Sequence, residues 1–159
     1  MKLAMGCDEA ACRLKMELKR HLSLTYPHIE LTDFGVKEGE TVLYPDIAFA
    51  VANAVARQQF ERAILLCGTG LGMAICANKV PGVRAAVCHD PYSAQRSRMS
   101  NNAQILCMGE RVIGVELAKT LVDIWLSCDF SGGRSTPKIE RIHQLEIEQI
   151  QRAEHSEQE

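Results

Sequence analysis

An apolar run that stops at a thiol and then turns through three glycines constrains this chain more than any other stretch. Residues 63–66, Ala-Ile-Leu-Leu, read as a strand buried on both faces. Cys67 ends the run, Gly68, Gly70 and Gly72 follow within five positions, and helix-like apolar sequence resumes over 71–77. A strand, a tight glycine turn and a helix start aim several backbone N–H groups at one point, which makes a cradle for negative charge. A cysteine at the lip of that cradle has its thiolate favoured by the same field. The plainer alternative is a glycine-rich turn preceded by a small buried residue.

The units around this stretch alternate. A short apolar strand over 2–6 ends at Cys7-Asp8-Glu9, and from Ala10 the period becomes helical through Leu14, Leu18 and Leu22. Tyr26-Pro27 breaks that helix. Ile29, Leu31 and Phe34 alternate with polar residues, as in a strand nearer the sheet edge. A polar loop over 36–43 leads to Tyr44-Pro45-Asp46, with proline placed for a first helical turn. The helix after the glycines runs to about Lys79, and 83–88 reads as another buried strand ending at His89-Asp90-Pro91. A helix with Tyr92 and Met99 reaches Ser100-Asn101-Asn102, a fifth strand spans 104–108, and a helix spans 115–126. Ser131-Gly132-Gly133 interrupts the chain before a charged helix over about 137–153.

Five strands separated by helices predict a single α/β domain over 1–159. It is a three-layer αβα sandwich on a five-stranded parallel sheet, Rossmann/flavodoxin-like, with a segment from about 131 to 159 holding the glycine break and last helix. The strand orders worth weighing place the first strand beside the third, or differ from the flavodoxin-like order only at the edges. Ligands bind beyond the carboxyl ends at such a switch point, so Cys7-Asp8-Glu9 and Cys67-Gly68-Thr69-Gly70 converge on one crevice. The last helix carries only a narrow apolar stripe. It either packs on its own domain as a solvated helix or crosses to a second subunit.

Charge and cysteine usage limit the function classes. A net charge of −2 and a pI near 6.2 give no footprint for nucleic acid or an anionic membrane. No apolar run approaches spanning length, and residues 1–6 are too short for a signal peptide. Seven cysteines without a C-x-x-C pair fit a disulfide framework poorly and point to a reduced, cytoplasmic chain.

Two chemistries fit the glycine turn. In a dinucleotide fold the third glycine should fall at position 73, where this chain has Met73, although Asp90 follows at about the right interval for the ribose acid. A phosphate loop of the Walker type is excluded, because no Gly-Lys-Ser/Thr follows. In the other reading the site moves a proton beside a carbonyl, which needs a base over the acidic carbon and donors at the oxygen that turns negative. Cys67 is the candidate base, the amides of 68–72 the candidate cradle, and Thr69 and Asp8 the groups for hydroxyl protons. Arg111 at a strand exit, with Arg134 and Lys138 one helical turn apart, are the candidate cations for a phosphate.

Several blocks in order carry a family resemblance. They are Gly6-Cys7-Asp8, Tyr44-Pro45-Asp46, Cys67-Gly68-Thr69-Gly70-Leu71-Gly72, Ala77-Asn78-Lys79, Gly82-Val83-Arg84-Ala85, Pro91-Tyr92-Ser93-Ala94, Asn101, Gly114-Val115-Glu116-Leu117-Ala118-Lys119 and Gly132-Gly133-Arg134. Over about 1–151 the chain closely resembles type B ribose-5-phosphate isomerases and their galactose-6-phosphate isomerase relatives. The resemblance implies a homodimer or dimer of dimers with active sites at the subunit boundary. It also implies aldose–ketose isomerisation of a small phosphorylated sugar through an enediolate, with no metal and no nucleotide cofactor. By position, Cys67 resembles the base, Gly68, Gly70, Leu71 and Gly72 the cradle, and Thr69 the residue serving the substrate oxygens. Asp8, Tyr44 and Asn101 resemble substrate contacts, and Arg111, Arg134 and Lys138 the phosphate cations.

Two departures bear on the substrate. Glu9 stands where the pentose-phosphate enzymes usually carry a phosphate-holding histidine, and its carboxylate repels phosphate unless Arg134 or Lys138 neutralises it. Ser100 stands where they carry the ring-opening histidine, and serine is a poor acid–base group near neutral pH. His89, after the fourth strand, is an alternative acid–base group for ring opening, but it is expected rather to cap a helix or face solvent. A tetrose with phosphate on its fourth carbon has no hydroxyl left to close a furanose, so its isomerase needs no ring-opening group. Loss of both histidines therefore suits a substrate such as D-erythrose 4-phosphate and D-erythrulose 4-phosphate, or another short or altered sugar phosphate. The alternative is a ribose 5-phosphate/ribulose 5-phosphate isomerase that opens the ring another way or receives the small open-chain fraction. A catalytically idle sugar-phosphate-binding protein of the same fold is the remaining class.

Overall fold

The computed structural model describes residues 1–37 and 39–156; Glu38, inside the loop read over 36–43, and residues 157–159 lie outside the described residues. Strands β1 (Lys2–Cys7), β2 (Glu30–Asp33), β3 (Arg62–Cys67), β4 (Ala85–Val87) and β5 (Ile105–Gly109) form one parallel sheet. Helices α1 (Cys12–Thr25), α2 (Tyr44–Ala56), α3 (Leu71–Ala77), α4 (Pro91–Met99), α5 (Val115–Ser127) and α6 (Thr136–Ser156) complete the alternation. The order across the sheet is β2-β1-β3-β5-β4.

The first strand does lie beside the third. At the far edge the order departs from the flavodoxin-like one, because β5 is inserted between β3 and β4. Every residue of β5 is buried, whereas β4 pairs over three half-buried residues only. The apolar run over 83–88 is thus an edge strand, not the buried strand its composition suggests. Composition cannot tell the two apart, since Val83 and Cys88 are buried by loop and helix contacts outside the ladder.

Crossover handedness distributes the helices. The β1-to-β2 and β4-to-β5 connections run toward one edge of the sheet and the other two toward the opposite edge, so right-handed crossovers put α1 and α4 on one face and α2 and α3 on the other. The α1/α5 face buries Leu14, Leu18, Leu22, Leu121 and Trp125 against Met5, Ile64 and Leu66. The α2/α3 face buries Val51, Ala52 and Met73 against Leu65 and Ile105.

This arrangement decides where a site can form. The chain leaves β3 toward the α2/α3 face, while both neighbouring strands, β1 and β5, send theirs to the other face. The turn after β3 therefore stands over a parting of the layers on both sides, the place where α/β sheets bind ligands. Among the described residues, no helix is long and apolar enough to cross a membrane.

Helix α6 buries none of its residues in the single chain. It touches the α3–β4 turn where the Glu146 carboxylate accepts the Gly82 N–H at 2.9 Å, and it leaves Ile142, Leu145, Ile147 and Ile150 exposed.

Candidate active site

Cys67, the last residue of β3, is 6% exposed and receives the Gly70 N–H on its sulfur at 3.0 Å. A donor aimed at sulfur is the geometry that steadies negative charge there. The turn needs glycine at position 70 for two reasons: φ is +79°, and a Cβ would lie 3.0 Å from the Met108 backbone. Thr69 is exposed, and its Oγ1 accepts the Leu71 N–H at 3.3 Å. Two amides of the expected cradle are thus already engaged, Gly70 by sulfur and Leu71 by Thr69. The next two, Gly72 and Met73, have no partner among the described residues and are available to a substrate oxygen at the start of the helix.

The other cysteines are set apart by their surroundings. Burial pushes the Cys7 thiol up to about 12 and raises those of Cys76, Cys88 and Cys107 as well. None of them carries an amide donor at the sheet's carboxyl edge as Cys67 does. Met73 is fully buried under α3, so the helix is not drawn onto the sheet by a third glycine as a dinucleotide turn requires.

Around the turn stand groups from three other elements. Tyr44, which opens α2, lays its ring on Gly72, where a Cβ would fall 2.6 Å from Cε2. The Arg111 side chain crosses Gly68 at 3.4–3.5 Å from the Cβ position, held there because its N–H returns to the Gly68 carbonyl at 3.0 Å. Asp8 follows β1, with its N–H on the Leu66 carbonyl at 3.3 Å and its carboxylate capping the short 3-10 turn Glu9–Ala11 at the Ala10 N–H, 3.0 Å away. Burial raises its pKa above the usual carboxylate value and the Glu9 charge adds to this; the Ala10 bond and the Arg111 charge oppose. Cys67, Thr69, Gly68, Gly70, Leu71, Gly72, Tyr44, Asp8 and Arg111 are therefore neighbours within one chain.

Ser100, Asn101, Arg134 and Lys138 are not. A strand and the helix after it run in opposite directions, so α4 ends at the amino edge of the sheet while Cys67 sits at its carboxyl edge. The length of β5, roughly 15 Å at the usual rise per residue, separates them. Ser100 closes α4 and accepts a hydrogen bond from the Arg96 guanidinium; the Asn101 carbonyl accepts from Arg84 Nε at 3.1 Å. The Ser131 N–H donates to the Met99 carbonyl at 3.1 Å, which ties the start of the Gly132-Gly133 break to the same edge. Arg134 and Lys138 are exposed, and among the described residues no ion pair joins either of them to Glu9. The three candidate phosphate cations thus fall on different segments: Arg111 lies against the turn, whereas Arg134 and Lys138 follow Ser131, which is tied to the end of α4.

A depression of about 790 Å³ lies alongside the site and includes Glu9, Cys12, Arg13, Lys15, Lys37 and Glu110 in its lining. His89 corrects another expectation. Asp90, not His89, caps α4 through the Ser93 N–H at 2.8 Å, and the His89 Nε2 accepts the Gly109 N–H at 2.9 Å. Glu110 also had no sequence signal; it accepts Arg13 Nε at 3.1 Å and the Leu14 N–H at 3.0 Å, fastening the β5 exit to α1.

Comparison with known proteins identifies the family. The family described as Ribose/Galactose Isomerase matches residues 3–142. Ribose-5-P isomerase B of Listeria innocua is 52% identical over 92% of this chain and 97% of its own length. The D-erythrulose-4-phosphate isomerase of Pectobacterium atrosepticum is 49% identical over 89% of this chain and 93% of its own. The solved structure of Clostridium thermocellum ribose-5-phosphate isomerase B superposes with a TM-score of 0.89 at 44% identity, covering 93% of this chain and 99% of that one. With its sheet, its turn and most of its length matched, the chain belongs to the ribose/galactose isomerase family.

Proposed function

We propose that this chain is an aldose–ketose isomerase of small sugar phosphates in which Cys67 is the base. The observation that carries the reading is the Cys67 sulfur, held by the Gly70 amide and followed by the unengaged amides of Gly72 and Met73. A carbonyl oxygen on those amides brings the neighbouring carbon over the sulfur. The thiolate takes that carbon's proton, the enediolate oxygen is held by the amides, and the proton returns to the adjacent carbon. Thr69 and Asp8 pass the hydroxyl proton between the two oxygens. Arg111 lies beside the charge that develops.

Ser100, Asn101, Arg134 and Lys138 are assigned to substrate and phosphate recognition in a homodimer, contributed by the second subunit. The support is topological: one chain holds the two groups on opposite edges of its sheet, and a second copy is the simplest way to bring them together. The exposed apolar residues of α6 and α3, among them Ile142, Leu145 and Ile75, are assigned to that contact.

For the substrate, Glu9 and Ser100 favour a tetrose phosphate, D-erythrose 4-phosphate and D-erythrulose 4-phosphate, which presents an open carbonyl without ring opening. Ribose 5-phosphate is the second reading, favoured by the overall likeness to ribose-5-phosphate isomerases. Overall identity does not choose between them, because relatives named for each substrate match almost equally well. A side-by-side assay on tetrose and pentose phosphates decides. The tetrose pair is expected to turn over faster; faster turnover of ribose 5-phosphate by orders of magnitude discards the four-carbon assignment. Cys67→Ser separates an enzyme from a binding protein, since only the enzyme loses proton exchange beside the carbonyl while keeping its ligand.

A further inference from the structure

Strand β4 stops before its neighbour does. Along β5, the residues at 105 and 107 turn their polar groups to β4: the Ile105 N–H meets the Arg84 carbonyl at 3.2 Å, and the Cys107 carbonyl meets the Cys88 N–H at 3.2 Å. Gly109 turns its N–H the same way, but the ladder has ended at Val87↔Cys107. A strand continuing past Cys88 would offer a backbone carbonyl at this level. The His89 imidazole occupies that role instead, accepting the Gly109 N–H on Nε2 at 2.9 Å.

We infer that His89 is a positioning residue for the isomerase site: its imidazole replaces the missing strand carbonyl, fixes Gly109, and through Gly109 holds Thr69 and Arg111 in place beside the Cys67 sulfur. The inference rests on the isomerase reading above.

The link from Gly109 to the turn is backbone against backbone. A Cβ on Gly109 would lie 2.5 Å from Thr69 Cα and 2.7 Å from the Gly68 carbonyl oxygen. At that separation Gly109 cannot shift without displacing Thr69. The same residue also carries the segment that presents Arg111, because its carbonyl accepts the N–H groups of Val112 at 3.0 Å and Ile113 at 3.2 Å. One hydrogen bond at the sheet edge therefore sets the level of both groups.

The imidazole is in the state this role needs. To accept on Nε2 the neutral ring carries its proton on Nδ1, an assignment made from the hydrogen-bond network. Burial lowers the His89 pKa below the ordinary value, with the neighbouring Asp90 charge opposing, so the neutral ring is favoured. Asp90 in turn is anchored as the α4 cap, which fixes the loop from which His89 projects. No local sequence pattern announces this, since the partner is 20 residues away and the need arises only because β4 is short.

The test combines a steady-state and a spectroscopic measurement on the full chain. His89→Leu removes the acceptor, and kcat for the sugar phosphate the enzyme prefers is expected to fall roughly ten- to a hundredfold, as for a misplaced site. KM is expected to change less than about threefold, because the group acts on the chemical step and touches no substrate. His89→Gln places an amide oxygen near the Nε2 position and is expected to recover most of kcat. In the wild-type chain, labelled with nitrogen-15, a two-bond coupling between the Gly109 and His89 Nε2 nitrogens reports the bond without any assay of activity. An absent coupling overturns the inference, as does a Leu variant with wild-type kcat or a Gln variant as impaired as the Leu variant. If the wild-type chain isomerises no sugar phosphate, the isomerase reading falls and this inference with it; an active enzyme indifferent to His89→Leu defeats this inference alone.

Discussion

The turn after β3 and the chain at the end of α4 and the start of α6 hold the two halves of the proposed site, and they are built differently. At the turn, Cys67, Gly70, Gly72 and Gly109 are fixed by backbone hydrogen bonds and by approaches too close for a side chain. Asn101, Arg134 and Lys138 are exposed, and among the described residues no ion pair joins either cation to the turn. The difference follows from what each half costs. Backbone amides in a tight turn are set by the fold and need no desolvated charge. A cluster of cations buried in one chain before any phosphate arrives would be destabilising. In the proposed reading the chemical half is complete within a single chain, and the recognition half stays in water until a second subunit and a substrate cover it.

The largest effect should therefore come from the first region. Cys67→Ser is expected to lower kcat by about a thousandfold, within the range for removal of a general base, with the thermal midpoint nearly unchanged. Exchange of the substrate's carbon-bound hydrogen with deuterated water measures it. Activity close to wild type would break the comparison at its strongest point. Arg134→Ala and Lys138→Ala test the second region. Each removes a charge-assisted contact of about 1.5–3 kcal/mol, so KM rises roughly ten- to a hundredfold while kcat holds. A fall in kcat without a change in KM would mean these residues belong to the chemistry.

Two glycine substitutions sharpen the contrast in stability. Gly109→Ala forces a methyl group to within 2.5 Å of the Thr69 backbone, and overpacking of that kind costs about 1–3 kcal/mol. It is also expected to lower kcat, because Thr69 moves. Gly133 has φ +59° but open space around it, so Gly133→Ala carries only backbone strain of about 1 kcal/mol and leaves kcat alone. Thermal unfolding and steady-state rates on the two variants read both effects. Equal losses of rate would remove the distinction between a crowded turn and an open one.

Much of this was legible in the sequence, and what was missed has a common cause. The alternating units, the pairing of β1 with β3 and the Cys67 turn all follow from local pattern: an apolar run, a period, a cluster of glycines. The insertion of β5 inside β4 depends on which strand finds a partner on both sides, and the apolar run at 83–88 carries no mark of that. His89 and Glu110 escaped for the same reason, since each acts on a residue brought close only by the strand order. The split between Arg111 and the Arg134–Lys138 pair is likewise topological. Their shared charge suggested a single phosphate site, whereas Arg111 follows β5 directly and the other two come only after α5 has run back and Ser131 has met the end of α4.

The smallest predicted effect lies inside the first region and tests whether its charges are as closely coupled as its backbone. Asp8 takes a hydroxyl proton only when ionised, so kcat/KM falls as pH drops through its pKa in the free enzyme. Burial sets that pKa above 3.8, Glu9 raises it further and Arg111 lowers it. The acid limb of kcat/KM against pH therefore lies above the position of an unperturbed aspartate. Glu9→Gln removes a neighbouring negative charge, which eases ionisation of Asp8 and moves the limb to lower pH. Arg111→Met removes the compensating positive charge and moves it to higher pH. The position of the limb on the pH axis, not its height, is compared, so a uniform loss of substrate affinity leaves the reading intact. Opposite displacements in the two variants tie Asp8, Glu9 and Arg111 into one electrostatic unit over the Cys67 turn. A limb that stays in place in both assigns the acid-side titration to a different group and leaves Asp8 as a helix-capping residue alone.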